Sequence, residues 1–319
     1  MKLLNELEKI TKTHFYFPLK EFLYIPQSFL EFVEIKEKFN LEKYISHNVL
    51  FPFSINTDTR IFDENLNLID ALNTKFFQNF LKIFICIKGE NFDSHNFINE
   101  ILEKNIDLII IEQNFYELNK SKIIELFKKY DKSFIVVSSS IRFLGLIAHV
   151  LISKIKLKND LKAIGITGSA GKTTTKNLLY NLLNFFLNEK VICSKKSFNN
   201  EIGIPFTIFS ITKNTKYVIL EMGMRGFKQI EYLASIADID YGIITSIGPA
   251  HILQVNNIKG VNKAKGELIE YLIQNNKNFF ILPKEYIIRE HKKHINSFTL
   301  PTKNHFIYNY EIIFKDNNF

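Results

Sequence analysis

Glycine and cysteine are scarce in this chain, and tryptophan is missing altogether. Only 2 of its 319 residues are cysteine, and Cys86 and Cys193 lack the partner spacing of a disulfide framework or a metal site, so we expect both to be reduced and structural. Long apolar runs are also missing. The stretch 144–152 is far shorter than the roughly 20 residues of a spanning helix, and charged residues interrupt the N-terminus where a signal peptide would be apolar. We therefore expect a cytoplasmic protein without a membrane span.

The few glycines are unevenly placed. Of the 12 in the chain, ten fall between positions 165 and 266. Where glycine is rare, each one is more likely to mark a turn with positive φ or a close approach of the backbone to a ligand. This distribution predicts that the chemistry lies in that stretch.

Composition places the chain among globular proteins. The hydrophobic fraction is 46% and the charged fraction 23%, and a chain of this length favours two domains. A net charge of +8 and a pI near 9.1 could indicate a polyanionic partner. The lysines are spread along the chain beside many Asn, Ile and Phe, so we favour compositional bias and expect no nucleic-acid partner. A nucleotide-carrying substrate would fit the charge as well.

Short apolar runs alternate with amphipathic segments from position 82 onward, which predicts βα units and mainly parallel sheets. In the first series the pattern predicts strands at 82–87, 106–111 and 133–137 and helices at 96–104, 119–130 and 141–156. In the second it predicts strands at 162–167, 190–193, 216–221, 241–245 and 279–282 and helices at 173–188, 228–237 and 261–276. The polar stretch 156–162 is the predicted linker, and no closing element is predicted after Pro283.

One segment has the features of a phosphate-binding loop. Residues 163–175 (AIGITGSAGKTTT) follow an apolar run and open an amphipathic one, which is the strand–loop–helix context that such a loop requires. Gly168, Ser169, Ala170 and Gly171 would direct backbone N–H groups at phosphates, together with Thr174 at the start of the helix. Lys172 would reach the terminal phosphates and Thr173 would coordinate Mg²⁺. The general motif puts glycine at Ile166, so it fails there by one residue, and a glycine-rich turn without a ligand is the alternative.

Two further side chains follow predicted strands of the same series. Glu221 ends an apolar strand beside Gly223, and His251 follows the next strand within Gly248-Pro249-Ala250-His251. An acid at the carboxyl end of a strand beside a phosphate loop can hold a metal directly or through water. Taken singly, Glu221 could equally be a solvated residue at the end of a strand, and a lone histidine is more often structural than a metal ligand. The convergence with Thr173 on one edge of the sheet favours a metal site.

These motifs resemble the Mur ligase family, whose phosphate loop has the form Thr-Gly-x-x-Gly-Lys-Thr-Thr without the early glycine. Residues 197–205 (SFNNEIGIP) and 221–223 (EMG) are similar to the member that adds D-alanyl-D-alanine, and 248–251 (GPAH) and 264–267 (AKGE) follow in the expected order. In the first series, residues 58–60 (DTR) resemble the family's uridine-binding Asp-Ser-Arg, and residues 88–97 (KGENFDSHNF) resemble its Lys-Gly-x-x-Phe-Asp-x-His-x-Phe segment.

The resemblance implies the fold, the reaction and the roles of several residues. The fold would be α/β, with a poorly readable segment at 1–50, a small UDP-binding α/β domain at 51–158, and a mainly parallel, phosphate-loop ATPase domain at 159–319. The reaction would join D-alanyl-D-alanine to UDP-N-acetylmuramoyl-tripeptide with ATP and Mg²⁺ in peptidoglycan synthesis. Lys172, Lys265 and His251 would be catalytic, and Thr173, Glu221, His251 and Lys265 would serve the metal, with Lys265 carbamylated. The resemblance also assigns substrate binding to five residues: Asp58, Thr59, Arg60, Asn199 and Asn200.

The sequence departs from the family toward its C-terminus. No Asp-x-Tyr-Asn-x-Asn-Pro-like segment is present, and Leu282-Pro283-Lys284-Glu285 stands in place of the expected Asn-x-Asp. We therefore expect the central domain to be incomplete and the C-terminal ligase domain to be absent. Three interpretations stay open: a ligase whose missing part a second chain supplies, a remnant that binds UDP-precursor or ATP without turnover, and a Mur-like ligase or phosphotransferase with another substrate.

Overall fold

The structure is a computed structural model that describes twelve stretches of the chain. These are residues 53–56, 81–89, 92–104, 106, 108–130, 133–187, 190–195, 198–212, 214–250, 252–277, 279–283 and 306–308. The segment 1–50 lies outside the described residues. Contacts divide the chain into two compact units, Met1–Leu144 and Gly145–Phe319.

The first unit is built on a parallel sheet of four strands in the order β1-β2-β3-β4. Its strands are β1 (Phe53–Asn56), β2 (Leu81–Ile85), β3 (Leu108–Glu112) and β4 (Ser133–Val137). A 3-10 turn (Ser94–Phe97) leads into helix α1 (Ile98–Glu103), and helix α2 (Gln113–Lys129) follows β3. The strands are rich in Ile, Val and Phe because a parallel sheet is covered on both faces. The expected strands are confirmed, and β1 is an addition to them.

Helix α2 begins six residues earlier than predicted. The sequence reading started it at Asn119, a residue whose side chain competes with helical hydrogen bonding. Asn119 indeed has a non-helical φ of −128°, and its Nδ2 donates to the Phe115 carbonyl at 2.9 Å. The predicted start at Asn119 thus coincides with a kink between two helical segments, and the segment from Gln113 to this kink is an addition to the prediction.

Helix α3 (Ser140–Lys158) runs from the first unit into the second. The predicted linker at 156–162 was wrong for its first three positions, which are helical. The polar character at Lys156 therefore does not mark a linker. It serves ion pairs of Lys156 with Asp238 and Asp240, at 3.2 and 2.6 Å. The domain ranges 51–158 and 159–319 stay a prediction, since a helix shared by both units does not itself set a boundary.

The second unit is built on a six-stranded parallel sheet in the order β10-β9-β8-β5-β7-β6. Its strands are β5 (Lys162–Thr167), β6 (Val191–Cys193), β7 (Tyr217–Glu221), β8 (Tyr241–Ile244), β9 (Phe279–Pro283) and β10 (Phe306–Tyr308). Its helices are α4 (Lys172–Leu187), α5 (Gly203–Phe209), α6 (Gln229–Ala237), α7 (Ile252–Val255) and α8 (Ile258–Gln274). Strand β5 is central, and five of its six residues are buried. The expected α/β fold with mainly parallel sheets is confirmed.

Three short elements of this unit escaped the sequence reading. Helix α5 carries Pro205 in its first turn, where proline is tolerated, but the helix is too short to show periodicity. Helix α7 has only four residues, and strand β10 has three. β10 pairs in parallel with β9, Phe306 opposite Ile281, so the stretch after Pro283 contains an element that the sequence did not make recognisable. None of the helices in the described part of the chain is long and apolar enough to cross a membrane.

Candidate nucleotide-binding site

The loop between β5 and α4 has the backbone of a phosphate cradle. Gly168 and Gly171 have φ values of +153° and +82°, which side chains with a Cβ rarely adopt. A Cβ on Gly168 would also stand 1.9 Å from Thr245 Oγ1. The loop lies at the carboxyl edge of a parallel sheet, where α/β proteins bind ligands, and it opens directly into helix α4. The predicted phosphate loop thus has the glycine-dependent geometry that its chemistry requires.

Residues that follow β8 hold this loop in place. Ser169 N and Ala170 N donate to Ser246 O and Ser246 Oγ, both at 2.9 Å. Thr245 Oγ1 donates to Ala170 O at 2.5 Å, and Ser169 Oγ donates to Gly248 O at 2.9 Å. Thr245 and Ser246 were not among the predicted site residues, because small hydroxyl residues after a strand are common in turns.

The two reactive side chains of the loop both have defined partners. Lys172 Nζ donates to the Gly168 carbonyl at 2.7 Å, so its ammonium group lies over the loop itself. Thr173 Oγ1 donates to Glu221 Oε2 at 2.8 Å. Hydroxyl and carboxylate oxygens are the protein ligands that Mg²⁺ prefers. The structure therefore brings together two of the four predicted metal residues, and their donor atoms fit the predicted ion.

Glu221 is buried and is surrounded by donors. Its backbone N donates to Ser194 Oγ at 3.1 Å, and Asn199 Nδ2 donates to its Oε1 at 3.3 Å. Lys176, which the sequence reading missed, is buried with Nζ 3.8 Å from Glu221 Oε2 and donates to Ser194 O at 2.8 Å. Lys176 follows Lys172 by one helical turn, and that spacing was the available signal.

The two predicted substrate-binding asparagines are placed differently. The Asn199 side chain donates to Glu221, one of the predicted metal ligands. The backbone carbonyl of Asn199 accepts from Gly223 N at 2.8 Å. Asn200 uses its Oδ1 to accept from Ile202 N and Gly203 N, at 3.2 and 2.9 Å, at the start of α5. Gly203 is required there, because a Cβ would stand 2.3 Å from Phe198 Cα. The loop 198–203 thus contacts Glu221, the acid that bonds to Thr173.

Lys265 is buried on helix α8, with 1% of its surface exposed. Burial, and second the charge of Lys172, lower the pKa of Lys265 to about 8. The residues around Lys265 in the sequence would by themselves favour an ordinary lysine on the helix surface, and its burial shows that this interpretation is wrong. Glu267 in the same segment is a structural acid: its carboxylate accepts from Lys228 N and Glu231 N, at 2.6 and 3.3 Å, at the start of α6.

Four predicted site residues lie outside the described part of the chain: Asp58, Thr59, Arg60 and His251. Their roles stay predictions. Within the described residues, no group of three or more His, Cys, Asp or Glu side chains could hold a metal ion.

Residues 92–97 of the first unit, which belong to the 88–97 motif, are within the described part of the chain and form several buried contacts. His95 is buried, with Nδ1 2.6 Å from Asp93 Oδ1, and its Nε2 accepts from Glu112 N at 3.0 Å. Both ring nitrogens are therefore used within the unit. Ser94 Oγ bonds to both the N and the O of Ile87. These contacts are structural and fix the connection that follows β2.

The central strand, the glycine loop, Lys172 and the Thr173–Glu221 pair define a phosphate-loop nucleotide-binding α/β protein. Residues 166–318 match the family profile described as the Mur ligase middle domain. This range is just under half of the chain, and over it the chain is similar to the Mur ligases.

Two of the curated relatives that match this chain carry the same name. UDP-N-acetylmuramoyl-tripeptide--D-alanyl-D-alanine ligase of Bacillus subtilis is 29% identical over 191 residues, which are 60% of this chain and 38% of that protein. The ligase of the same name from Buchnera aphidicola subsp. Baizongia pistaciae is 32% identical over 193 residues, again 60% and 38%. This chain thus spans less than half the length of the curated relatives that it matches.

Solved structures agree in fold. A crystal structure of MurF from Acinetobacter baumannii matches with a TM-score of 0.58 at 23% identity, over 76% of this chain and 46% of that one. The MurF ligase of Thermotoga maritima, in complex with ADP, matches with a TM-score of 0.55 at 23% identity, over 76% and 49%. At 23% identity, these two matches show that this chain shares their fold.

Proposed function

We propose that this chain acts as a ligase that adds D-alanyl-D-alanine to UDP-N-acetylmuramoyl-tripeptide in the cytoplasm. The observation that carries the proposal is the 2.8 Å contact between Thr173 and Glu221, beside Lys172 in the phosphate loop. The similarity to proteins named for that reaction supports it.

The reaction must activate a carboxylate, which is a poor electrophile. An oxygen of the tripeptide's carboxylate attacks the γ-phosphorus of ATP, the bond to ADP breaks, and an acyl phosphate forms. The amine of D-alanyl-D-alanine then attacks the acyl carbon, loses a proton, and expels phosphate. Both steps build up negative charge, so catalysis depends mainly on positioning and on electrostatic stabilisation.

The residues of the loop are suited to this task. Gly168, Ser169, Ala170 and Gly171, with Thr174 in the first helical turn, would surround the phosphates with backbone N–H groups. Lys172 would leave the Gly168 carbonyl and pair with the terminal phosphates. Thr173 and Glu221 would hold Mg²⁺, which neutralises phosphate charge when bound.

We further propose that Lys265 is carbamylated and serves the metal side of the site with His251. A carbamate replaces a buried cation by a carboxylate-like anion, which would end its repulsion with Lys172. For the precursor, we propose that Asn199 and Asn200 orient the peptide and that Asp58, Thr59 and Arg60 bind the uridine end.

The decisive experiment measures phosphate release and the ligated product, by mass spectrometry, from the purified chain. It supplies ATP, Mg²⁺, bicarbonate, UDP-N-acetylmuramoyl-tripeptide and D-alanyl-D-alanine. We expect release that needs both substrates and is lost in Lys172→Ala. The matched control is Lys162→Ala, which removes a partly exposed lysine at the opposite end of β5, where it pairs with Asp160; it should keep full activity.

A second candidate is a chain that binds the precursor or ATP and completes its site with a second chain. The short span relative to the relatives favours testing it. Precursor binding without phosphate release would support this candidate and would reject turnover by the chain alone.

A further inference from the structure

Asn262, on the first half of helix α8, has an unexplained buried amide. Only 3% of its surface is exposed. Among the described residues, neither its Oδ1 nor its Nδ2 has a hydrogen-bond partner. A carboxamide offers two donors and one acceptor, and burying it unpaired is unfavourable. Such a group in a folded protein calls for an additional partner at that place.

Lys265 lies one helical turn further along. Residues three apart are neighbours on a helix surface, so Asn262 and Lys265 share a face of α8. Lys265 is buried as well, and within the described residues no carboxylate acts on its charge; Lys172, a second cation, does. Glu267, the nearby acid, is used by the backbone of Lys228 and Glu231. Two buried polar side chains therefore lie on one face of the helix, and the amide of Asn262 has no hydrogen-bond partner among the described residues.

We propose that Asn262 is a positioning residue for Lys265, and that its amide donates a hydrogen bond to the carbamate formed on Nζ. The proposal rests on the ligase function proposed above, in which Lys265 is carbamylated. One added group, an anion with two oxygens, would complement both side chains at once. A neutral amide suits this position, because it can donate to the anion without adding a third cation beside Lys172 and Lys265.

The chemistry of the modification balances with carbon dioxide alone. The lone pair of the unprotonated Nζ attacks the carbon of CO₂, and an N–C bond forms while one C–O π pair moves to oxygen. The nitrogen then releases one proton to water. The product is a carbamate anion, and Asn262 stabilises it without taking part in bond formation.

The first test measures CO₂ affinity by ¹³C NMR, in the full chain titrated with ¹³C-bicarbonate at constant pH. Lys265→Met assigns the carbamate signal by removing it. We expect Asn262→Ala to weaken CO₂ affinity roughly tenfold or more, as loss of a hydrogen bond to a charged group would. The matched control is Asn257→Ala on the same helix: this exposed residue caps α8 by accepting from Gly260 N at 2.9 Å, and its loss should leave CO₂ affinity unchanged.

The second readout is stability with and without bicarbonate. A ligand that binds only the folded state raises its stability, so bicarbonate should raise the urea midpoint of the wild type. In Asn262→Ala the rise should be smaller, whereas the bicarbonate-free protein should not be less stable than the wild type. A purely structural asparagine would instead lower the midpoint equally in both buffers, and that result would overturn the proposal.

The outcomes separate this proposal from the ligase function. Equal CO₂ affinity in the wild type and Asn262→Ala overturns the positioning role even if the chain makes product. Absence of a carbamate signal in the wild type overturns it as well. A carbamate that depends on Asn262, in a chain without turnover, supports the positioning role and rejects the ligase activity of the isolated chain.

Discussion

Thr173 and Glu221 stand 48 positions apart in the sequence, yet their side-chain oxygens are 2.8 Å apart. The pair depends on the parallel pairing of β5 with β7, which brings Ile166 opposite Glu221 at the same edge. Lys176 Nζ lies 3.8 Å from the same carboxylate oxygen, Oε2, and offsets its charge. At the scale of single residues, the proposed site thus combines one carboxylate for a cation with lysines that suit phosphates.

Replacing Thr173 by valine tests the metal role of its hydroxyl. We expect Thr173→Val to raise the Kd for ATP about tenfold in Mg²⁺, which corresponds to about 1.4 kcal/mol, and to have a much smaller effect in EDTA. Isothermal titration calorimetry in both buffers measures this. Thr175→Val makes the same change further along α4 and should bind ATP normally. A loss of the same size in EDTA would contradict the metal role.

The pKa of Lys265 predicts a pH dependence of stability. Its folded value of about 8 lies below its usual value of 10.5, so the folded state binds fewer protons between these limits and stability rises with pH there. The unfavourable burial of the charge is fully present below pH 8. In CO₂-free buffer at pH 7 we therefore expect Lys265→Met to raise the free energy of unfolding, by about 3 kcal/mol.

The measurement is urea unfolding of both proteins from pH 7 to 10. The advantage of Lys265→Met should shrink as the pH rises through 8 and vanish near 10.5. A difference that stays constant over this range would mean that Lys265 carries no burial penalty on its charge.

The loop between β5 and α4 acts as one element, because both of its ends are fixed. Strand β5 is central in the sheet, and the residues after β8 bond to Ser169 and Ala170. Its two glycines take positive φ, which lets the backbone close the cradle. The shape of the loop therefore depends on glycine more than on any contact.

A matched pair of glycines tests this dependence. Gly168→Ala should lower the free energy of unfolding by at least about 2 kcal/mol, because φ is positive and the Cβ would meet Thr245 Oγ1. Gly226 has nothing within 4 Å of an added Cβ, so Gly226→Ala should change stability by no more than about 0.5 kcal/mol. Chemical denaturation of both variants is the measurement, and equal effects would show that the loop tolerates a side chain.

On the scale of the whole second unit, a cluster of charges joins parts that are distant in sequence. Lys156 on α3 and Lys277 after α8 both pair with Asp238 and Asp240, which flank the start of β8. Asp240 Oδ2 also accepts from Ala163 N at 2.8 Å. Burial lowers the pKa of Lys156, although both aspartates act in the opposite direction. The cluster ties two helices to the central strands, at the end of the sheet opposite the phosphate loop.

Lys156→Ala should destabilise the protein by about 1–3 kcal/mol, because it leaves partly buried carboxylates with one cation fewer. The comparison is Lys228→Ala, which breaks an exposed pair with Glu231 at 2.6 Å and should change stability by about 0.5 kcal/mol or less. Thermal or urea unfolding of both variants at pH 7 distinguishes them. An equally small effect of Lys156→Ala would mean that solvent screens the cluster.

The same cluster predicts an acid response. Burial would raise the pKa of Asp238, but Lys156 and Lys277 outweigh it and hold that pKa below its ordinary value of 3.8. Its contribution to stability is therefore present above pH 3.8 and is lost as the pH falls through the lower, folded value. Asp238→Asn, which tolerates the left-handed backbone at this position, should unfold with a weaker dependence on pH in this range.

Acid titration of the wild type and Asp238→Asn checks this. Asp160→Asn is the control, because Asp160 pairs with Lys162 in full contact with water, where such pairs contribute little. An unchanged acid midpoint in Asp238→Asn would exclude Asp238 from the acid transition.

The alternation of strands and helices, the position of the phosphate loop and the resemblance to Mur ligases could be predicted from the sequence. These features depend on neighbours along the chain: the apolar period, the glycines near Lys172, and short motifs in order. The predicted helix start at Asn119 coincides with a kink, because the Asn119 side chain competes locally for backbone hydrogen bonds. Strand β10 was missed, because its three residues are too few to show a period and are recognised only by their pairing with β9.

Only the tertiary structure decided which polar residues act together. Burial turns Lys265 from a surface lysine into a desolvated amine, and it leaves Asn262 without a partner among the described residues. Sheet pairing brings Lys176 close to Glu221. Helix packing places the Glu267 carboxylate where it accepts a hydrogen bond from the backbone at the start of α6. The sequence shows the same lysine or asparagine whether the residue is exposed or buried. Its charge and its partners depend on the surroundings that folding brings together.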